Sequence, residues 1–232
     1  MKLFITRPKE DALPLAEKLR QAGHETVVSP LLAIIPRAGV AIPPDRFQAI
    51  CVTSANGVRC LQGRADLQVP VLAVGAQSAT AAKLRGFEQV TARGGDVHGL
   101  VEYIRLTLIL QDGPLLYLSG AETSGDLEGQ LAAAGFSVTR LITYDALAQK
   151  LDGLRQQLQP GNGVLLYSPR SAKLWRAEMA RMQLDLIAAQ VKHFCLSPQV
   201  AAALPPEFPA IAAASPDEPA MLALLDLAGK AE

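Results

Sequence analysis

Six times along this chain a short apolar run ends in a small polar turn and passes into a segment of helical spacing. LFIT (3–6) leads into RPKEDALPLAEKLRQAG, AICVTS (49–54) into ANGVRCLQ, and VLAVG (71–75) into AQSATAAKLRG. LLYLSG (115–120) leads into AETSGDLEGQLAAAG, VLLYS (164–168) into PRSAKLWRAEM, and HFCLS (193–197) into PQVAAAL. Runs of this length without polar alternation suit strands buried on both faces. The following segments place Leu and Ala at helical intervals, and two of them stop on Gly23 and Gly135. Strands alternating with helices build βαβ units and parallel sheets, so the predicted fold class is α/β.

The pattern is also doubled. KLRQAGHETVVSP aligns with GQLAAAGFSVTRL on Gly23 and Gly135, and VTSANGV aligns with LYSPRSA on Ser54 and Ser168. AVGAQSAT aligns with CLSPQVAA on Gly75 and Ser197, and TARGGDVHGLV with AAASPDEPAML. Four βα units therefore occur twice in one order, which predicts two similar lobes, each a parallel sheet flanked by helices. The breaks in composition do not fall between the repeats. PRAGVAIPPD (36–45) has the Pro and Gly density that ends regular structure. VTRLITYDALAQ (138–149) is an extended, β-prone run that corresponds to VVSPLLAIIP (27–36). The chain is thus expected to cross between lobes after each first unit. Residues 1–34 plus 149–232 would form one discontinuous lobe and 38–140 the other, with 35–37 and 141–148 as a two-stranded β linker.

Composition removes several function classes. Half the chain is hydrophobic but only 5% is aromatic, so Ala, Leu, Val and Ile must fill the cores. The 22 Lys and Arg residues balance 22 Asp and Glu, with no basic patch for a nucleic acid. An anion would have to be held by local donors rather than by a global field. Cys51, Cys60 and Cys195 have no metal or redox spacing, and Cys51 and Cys195 sit in apolar runs as small hydrophobes. His24, His98 and His193 are far apart and form no metal pattern. GGDVHG (94–99) lacks a dinucleotide fingerprint and reads as a flexible loop. Trp175 reads as a helix residue packed on a sheet, and Asp145, Lys150 and Asp152 as solvated charges near the linker. MKLFITRPKED turns charged too soon for a signal peptide, and LTLIL (106–110) is too short to span a bilayer. A soluble cytoplasmic protein is expected.

Ligands of parallel α/β sheets collect at the carboxyl ends of strands, where helix N-termini offer unsatisfied N–H groups to anions. These ends are rich in small and hydroxyl residues: Thr6, Thr53, Ser54, Gly75, Ser78, Ser119, Gly120, Thr123, Ser168 and Ser197. Ser and Thr at such positions ordinarily cap helices, and a capped turn can still aim free N–H groups outward. Arg7 follows the first strand directly. Its guanidinium can clamp a carboxylate in bidentate fashion or form a structural ion pair, and the sequence leaves both open. Tyr144, in LITYDAL, reads on its own as an edge-strand tyrosine with its ring on the core and its hydroxyl in water.

The ordered set TRP, VTSANGV, AVGAQSATAAKL, LLYLSG, TYDALA and LLYSPRSA resembles the uroporphyrinogen-III synthase family from Lys2 to about Leu225. The resemblance implies a two-lobed fold with an open cleft, in which the strand-end residues hold carboxylates of hydroxymethylbilane. It implies that this substrate loses water and closes with its last pyrrole ring, ring D, inverted. Tyr144 matches the family's functional tyrosine and would hydrogen-bond the leaving hydroxyl. Metal and organic cofactors are not used in the family. The expected protein is a monomer, with the upstream bilane-forming deaminase as its one potential protein partner. Pro198-Gln199-Val200 departs from the family habit of a hydroxyl residue just after the HFCLS strand, which leaves Ser197 as the local hydroxyl. Two rival readings remain: a non-enzymatic two-lobed small-molecule binder or sensor, and a pair of receiver-like or flavodoxin-like domains. A receiver would want an acidic pair after its first strand, which LFITRP lacks.

Overall fold

The computed structural model describes residues 1–63, 65–93 and 95–229. In chain order it begins β1 (Lys2–Ile5), α1 (Lys9–Gln21), β2 (Glu25–Val28), β3 (Leu32–Pro36), β4 (Ala49–Val52), α2 (Ala55–Arg59), β5 (Val71–Ala73) and α3 (Ala76–Arg85). It continues β6 (Val90–Ala92), α4 (Val97–Thr107), β7 (Leu115–Gly120), α5 (Leu127–Ala133), β8 (Val138–Ala148) and β9 (Gly163–Leu166). It closes with α6 (Pro169–Arg181), α7 (Asp185–Ala188), β10 (Lys192–Cys195), α8 (Pro198–Ala201), β11 (Ala210–Ala212) and α9 (Glu218–Gly229).

The chain divides into two compact units: Met1–Ala33 with the chain from Leu147 onward, and Ile34–Ala146. The first unit holds a five-stranded sheet in the order β11-β10-β9-β1-β2, with every pair parallel. Successive side chains of β1 point to opposite faces. Leu3 and Ile5 join Leu15 and Leu19 of α1 and Met221 and Leu225 of α9. Phe4 joins Trp175 and Met179 of α6 on the other face. Both faces are buried from Leu3 to Ile5, which is why the strand is apolar at each of those positions.

The second unit holds a six-stranded sheet in the order β3-β8-β7-β4-β5-β6. Pairs from β8 across to β6 are parallel. Leu115 and Tyr117 face one core, Leu116 and Leu118 the other. When β1 is set against β7, β2 against β8, and β9, β10 and β11 against β4, β5 and β6, the two sheets have one strand order. The doubled sequence pattern is therefore a doubled topology. Gly57 shows how closely α2 lies on this sheet: a Cβ there would stand 2.7 Å from the Leu118 carbonyl oxygen.

The Arg37 N–H donates to the Thr143 carbonyl and the Gln149 N–H to the Leu31 carbonyl, each at 2.9 Å. Partner numbers fall on one strand as they rise on the other, so β3 and β8 run antiparallel. β8 is unbroken from Val138 to Ala148, so 141–148 belongs to a strand paired with β7 as well as to the passage toward the first unit. Two acidic residues read as solvated have arginine partners. Asp145 takes a two-point bond from Arg37 at 2.8 Å, which holds its carboxyl below the usual range. Asp152 accepts from Arg181, which also pairs with Glu178. Glu178 in turn accepts the Leu151 N–H at 2.8 Å, tying the segment after β8 to α6.

Most of the predicted GGDVHG loop is a helix start. Asp96 caps α4 by accepting the Gly99 N–H at 2.8 Å, so Val97, His98 and Gly99 are helical, while Gly94 lies outside the described residues. An acidic cap offsets the open N–H groups of the first turn, and that is the signal the Gly-rich reading passed over. Cys51, Cys60 and Cys195 are buried, and burial pushes the Cys51 and Cys195 thiols up to about 12. Among the described residues no helix is long and apolar enough to cross a membrane.

Candidate active site

A polar network closes the carboxyl end of β7 in the second unit. Parallel neighbours share a face, so the register that sets Cys51 and Arg140 beside Tyr117 also brings Thr53 and Ser119 to that face. The Thr53 and Tyr117 hydroxyls are 2.9 Å apart, and burial raises the Tyr117 phenol above its ordinary range. Arg140 reaches along the sheet. Its Nε donates to Ser119 Oγ at 2.9 Å, and its Nη2 to the carbonyls of Gly120 (2.9 Å) and Ala121 (3.0 Å).

A register shift between Ser119 and Gly120 then brings Gly120 level with Tyr144. A bulge of this kind re-aims a side chain at a strand end. The Tyr144 ring fills the space that a side chain at 120 would need: a Cβ there would lie 2.7 Å from Cζ and 3.0 Å from the hydroxyl. The Ala121 N–H donates to the Tyr144 carbonyl at 3.0 Å, and Tyr144 is buried to all but 7%. On the other face Thr143, wholly buried, donates to the Gly57 and Ser119 carbonyls.

The remaining candidates of this unit lie at neighbouring strand ends. Ser54 caps α2 through the Asn56 N–H at 3.3 Å. Gly75 stands at the N-cap of α3 with extended backbone, and a Cβ there would meet nothing within 4 Å. Ser78 is buried in the first turn of the same helix, and Thr123 is exposed in the turn after β7.

The carboxyl ends of the first unit are built differently. Thr6 Oγ1 donates to the Leu165 carbonyl at 2.6 Å, a side-chain bond that ties the end of β1 to β9. Arg7 lies over the Tyr167 ring at 4.4 Å, with Asp11 and Glu218 carboxylates at 3.5 and 3.6 Å. Of the two roles open to Arg7, the structural ion pair is the one these contacts supply; a substrate carboxylate would compete with two resident ones. Ser168 caps α6 through the Ser171 N–H at 3.1 Å and meets the Ser171 hydroxyl at 2.6 Å. Ser197 occupies the N-cap of α8 with no side-chain cap bond.

Thr53, Ser119, Gly120 and Tyr144 therefore meet at one strand end, while Arg7, Ser168 and Ser197 occupy the ends of the other sheet. Arg140 and Tyr117 were not singled out from sequence. Arg140 left a signal, as the one charge within the apolar stretch VTRLITY.

Two sheets that share one order of five parallel strands, with hydroxyl residues along their carboxyl ends, define a duplicated α/β protein. The family model of uroporphyrinogen-III synthase HemD matches residues 14–225, and the chain belongs to that family. A uroporphyrinogen-III synthase of Chlorobaculum parvum (strain DSM 263 / NCIMB 8327) is 41% identical over 58 residues. That match spans 25% of this chain and 24% of the relative's length. Among solved structures, the uroporphyrinogen-III synthetase of Helicobacter pylori 26695 aligns with a TM-score of 0.67 at 18% identity, over 97% of this chain and 99% of its own. A mutant synthase of Thermus thermophilus aligns with a TM-score of 0.58 at 17% identity, over all of both chains. At such identities the likeness to these structures is one of fold.

Proposed function

We propose that this protein is a uroporphyrinogen-III synthase, a lyase that closes hydroxymethylbilane with loss of water and inversion of ring D. Its membership of that family across residues 14–225 carries the reading. The bilane is reactive on its own and closes in water without inversion, so the enzyme's work is mainly orientation. Fixing the reacting carbons in a productive geometry can lower the barrier by several kcal/mol.

Closure begins when the terminal hydroxymethyl C–O bond breaks and hydroxide leaves, while the ring gives up its N–H proton, so that one water is lost and an electrophilic azafulvene remains. We assign Tyr144 the hydrogen bond to that leaving oxygen. A phenol can donate such a hydrogen bond to a leaving oxygen. Held against Gly120, the ring has a fixed position from which to do so. For the carboxylates we propose Thr53, Ser54, Gly75, Ser78, Ser119, Gly120 and Thr123 of the second unit, and Ser168 and Ser197 of the first, with Arg7 left to its ion pairs with Asp11 and Glu218. Most of these donors are neutral hydroxyl and backbone groups, in keeping with a chain of no net charge. The same reading makes the enzyme a cytoplasmic monomer, supplied by the upstream deaminase.

The test is to supply hydroxymethylbilane and separate the product isomers. Type III product supports the synthase; type I alone reports spontaneous closure and leaves a two-lobed binder. Tyr144→Phe is expected to slow type III formation about tenfold or more with the melting temperature preserved. Unchanged turnover would remove the role given to its hydroxyl.

A further inference from the structure

We infer that Arg140 is a positioning residue for Tyr144, an inference that rests on the synthase reading above. The guanidinium uses two of its nitrogens on three acceptors, Ser119 Oγ and the carbonyls of Gly120 and Ala121, all at 2.9–3.0 Å. These acceptors lie where the register shift ends the regular ladder between β7 and β8. Carbonyls released from a ladder need new donors, and Arg140 supplies them across the strand end. The bonded segment touches Tyr144 at two points: Ala121 donates to its carbonyl, and Gly120 faces its ring. Arg140 therefore sets the turn, and the turn sets the phenol.

Two further observations separate this role from a surface charge. The Glu128 carboxylate, on a half-exposed side chain, stands 4.0 Å from Nη1, too far for a tight ion pair. The planar fork is also what the site requires, because one group must meet a hydroxyl and two carbonyls in fixed directions. A lysine ammonium carries the same charge but lacks the fork.

Arg140→Lys, made in the full chain, is the decisive variant. It should fold and melt within a few degrees of the parent. Its kcat for type III product should fall about ten- to a hundredfold, as expected when a reacting group is misplaced by about an ångström, while KM stays within about twofold. Repeated in the Tyr144→Phe background, the same substitution should cost little more, because residues that act through one another are not additive. A lysine variant with parental kcat would overturn the inference by showing that charge alone suffices. A rise confined to KM would overturn it by making Arg140 a substrate contact. An equal loss in both backgrounds, or loss of the fold, would reduce Arg140 to a structural residue. A parent enzyme that yields no type III product sinks the synthase reading itself, and is told apart by that control.

Discussion

Gly120→Ala is expected to cut type III formation about a hundredfold while leaving the protein folded. The added methyl would sit 2.7 Å from Tyr144 Cζ, 2.8 Å from Cε2 and 3.0 Å from the hydroxyl, closer than real carbon contacts allow. Gly120 is absent from the positive-φ residues, so alanine meets no backbone strain there and the whole effect comes from the ring. What yields is the far end of a side chain, so the stability cost should stay near the low end of the 1–3 kcal/mol typical of overpacking. The phenol itself must move by about an ångström, which can cost on the order of a hundredfold in rate. Tyr144→Phe and Gly120→Ala thus attack one function from two sides: the first removes the hydroxyl in place, and the second keeps the hydroxyl but displaces it. Their type III rates, measured beside their melting curves, should both fall. Full activity in Gly120→Ala would show that the position of the ring does not matter.

The strands were legible because sheets covered on both faces leave no polar alternation, so LFIT, AICV and VLLY stand out as unbroken apolar runs. The doubling was legible for the same reason, since Ser54 with Ser168 and Gly75 with Ser197 recur at equivalent turns. The centre of the candidate site was less so. Thr53, Ser119 and Gly120 could be named as strand-end residues, but their link to Tyr144 depends on the register shift between Ser119 and Gly120, which follows from packing and has no motif. Arg140 was hidden by the same gap. Without the pairing of β7 with β8 there is no telling that it lies level with Tyr117 and can reach past it to Ser119. Arg7 was legible as important and ambiguous in role, because Glu218 is remote in sequence and joins it only when α9 docks. GGDVHG misled because glycine content outweighed the cap residue Asp96 in the reading, although a cap is the stronger local signal.

Acidification from pH 6.5 to pH 4 is expected to remove about 3 kcal/mol of stability through one residue, His193. This side chain has no exposed surface. Its Nε2 accepts the Trp175 indole N–H at 2.9 Å, which leaves the proton on Nδ1, where it is donated to the Pro209 carbonyl at 3.0 Å. Phe208 stacks on the ring with centroids 5.3 Å apart and planes within 6°. Protonation would set a second N–H against the indole donor in a place without water, and burial holds the imidazole down at about 4. An unfolded histidine titrates near 6.5. Between those values the unfolded chain binds more protons than the folded one, so stability falls as pH falls, and below about 4 this group contributes no further change. A gap of roughly 2.5 units at 1.36 kcal/mol each gives the figure of about 3 kcal/mol. The carboxyls of Asp145, Glu178 and Asp217 are also depressed, but their contributions fade only as pH drops through the ordinary carboxylate range and below. The interval from about 5 to 6.5 therefore lies above the range in which these carboxyls act. Urea unfolding at closely spaced pH values should show this slope in the parent and lose it in His193→Leu. That variant should also be less stable at pH 7 by about 1–3 kcal/mol, because the Trp175 N–H loses its acceptor. Equal slopes in the two proteins across that interval would mean that acid acts through some other group.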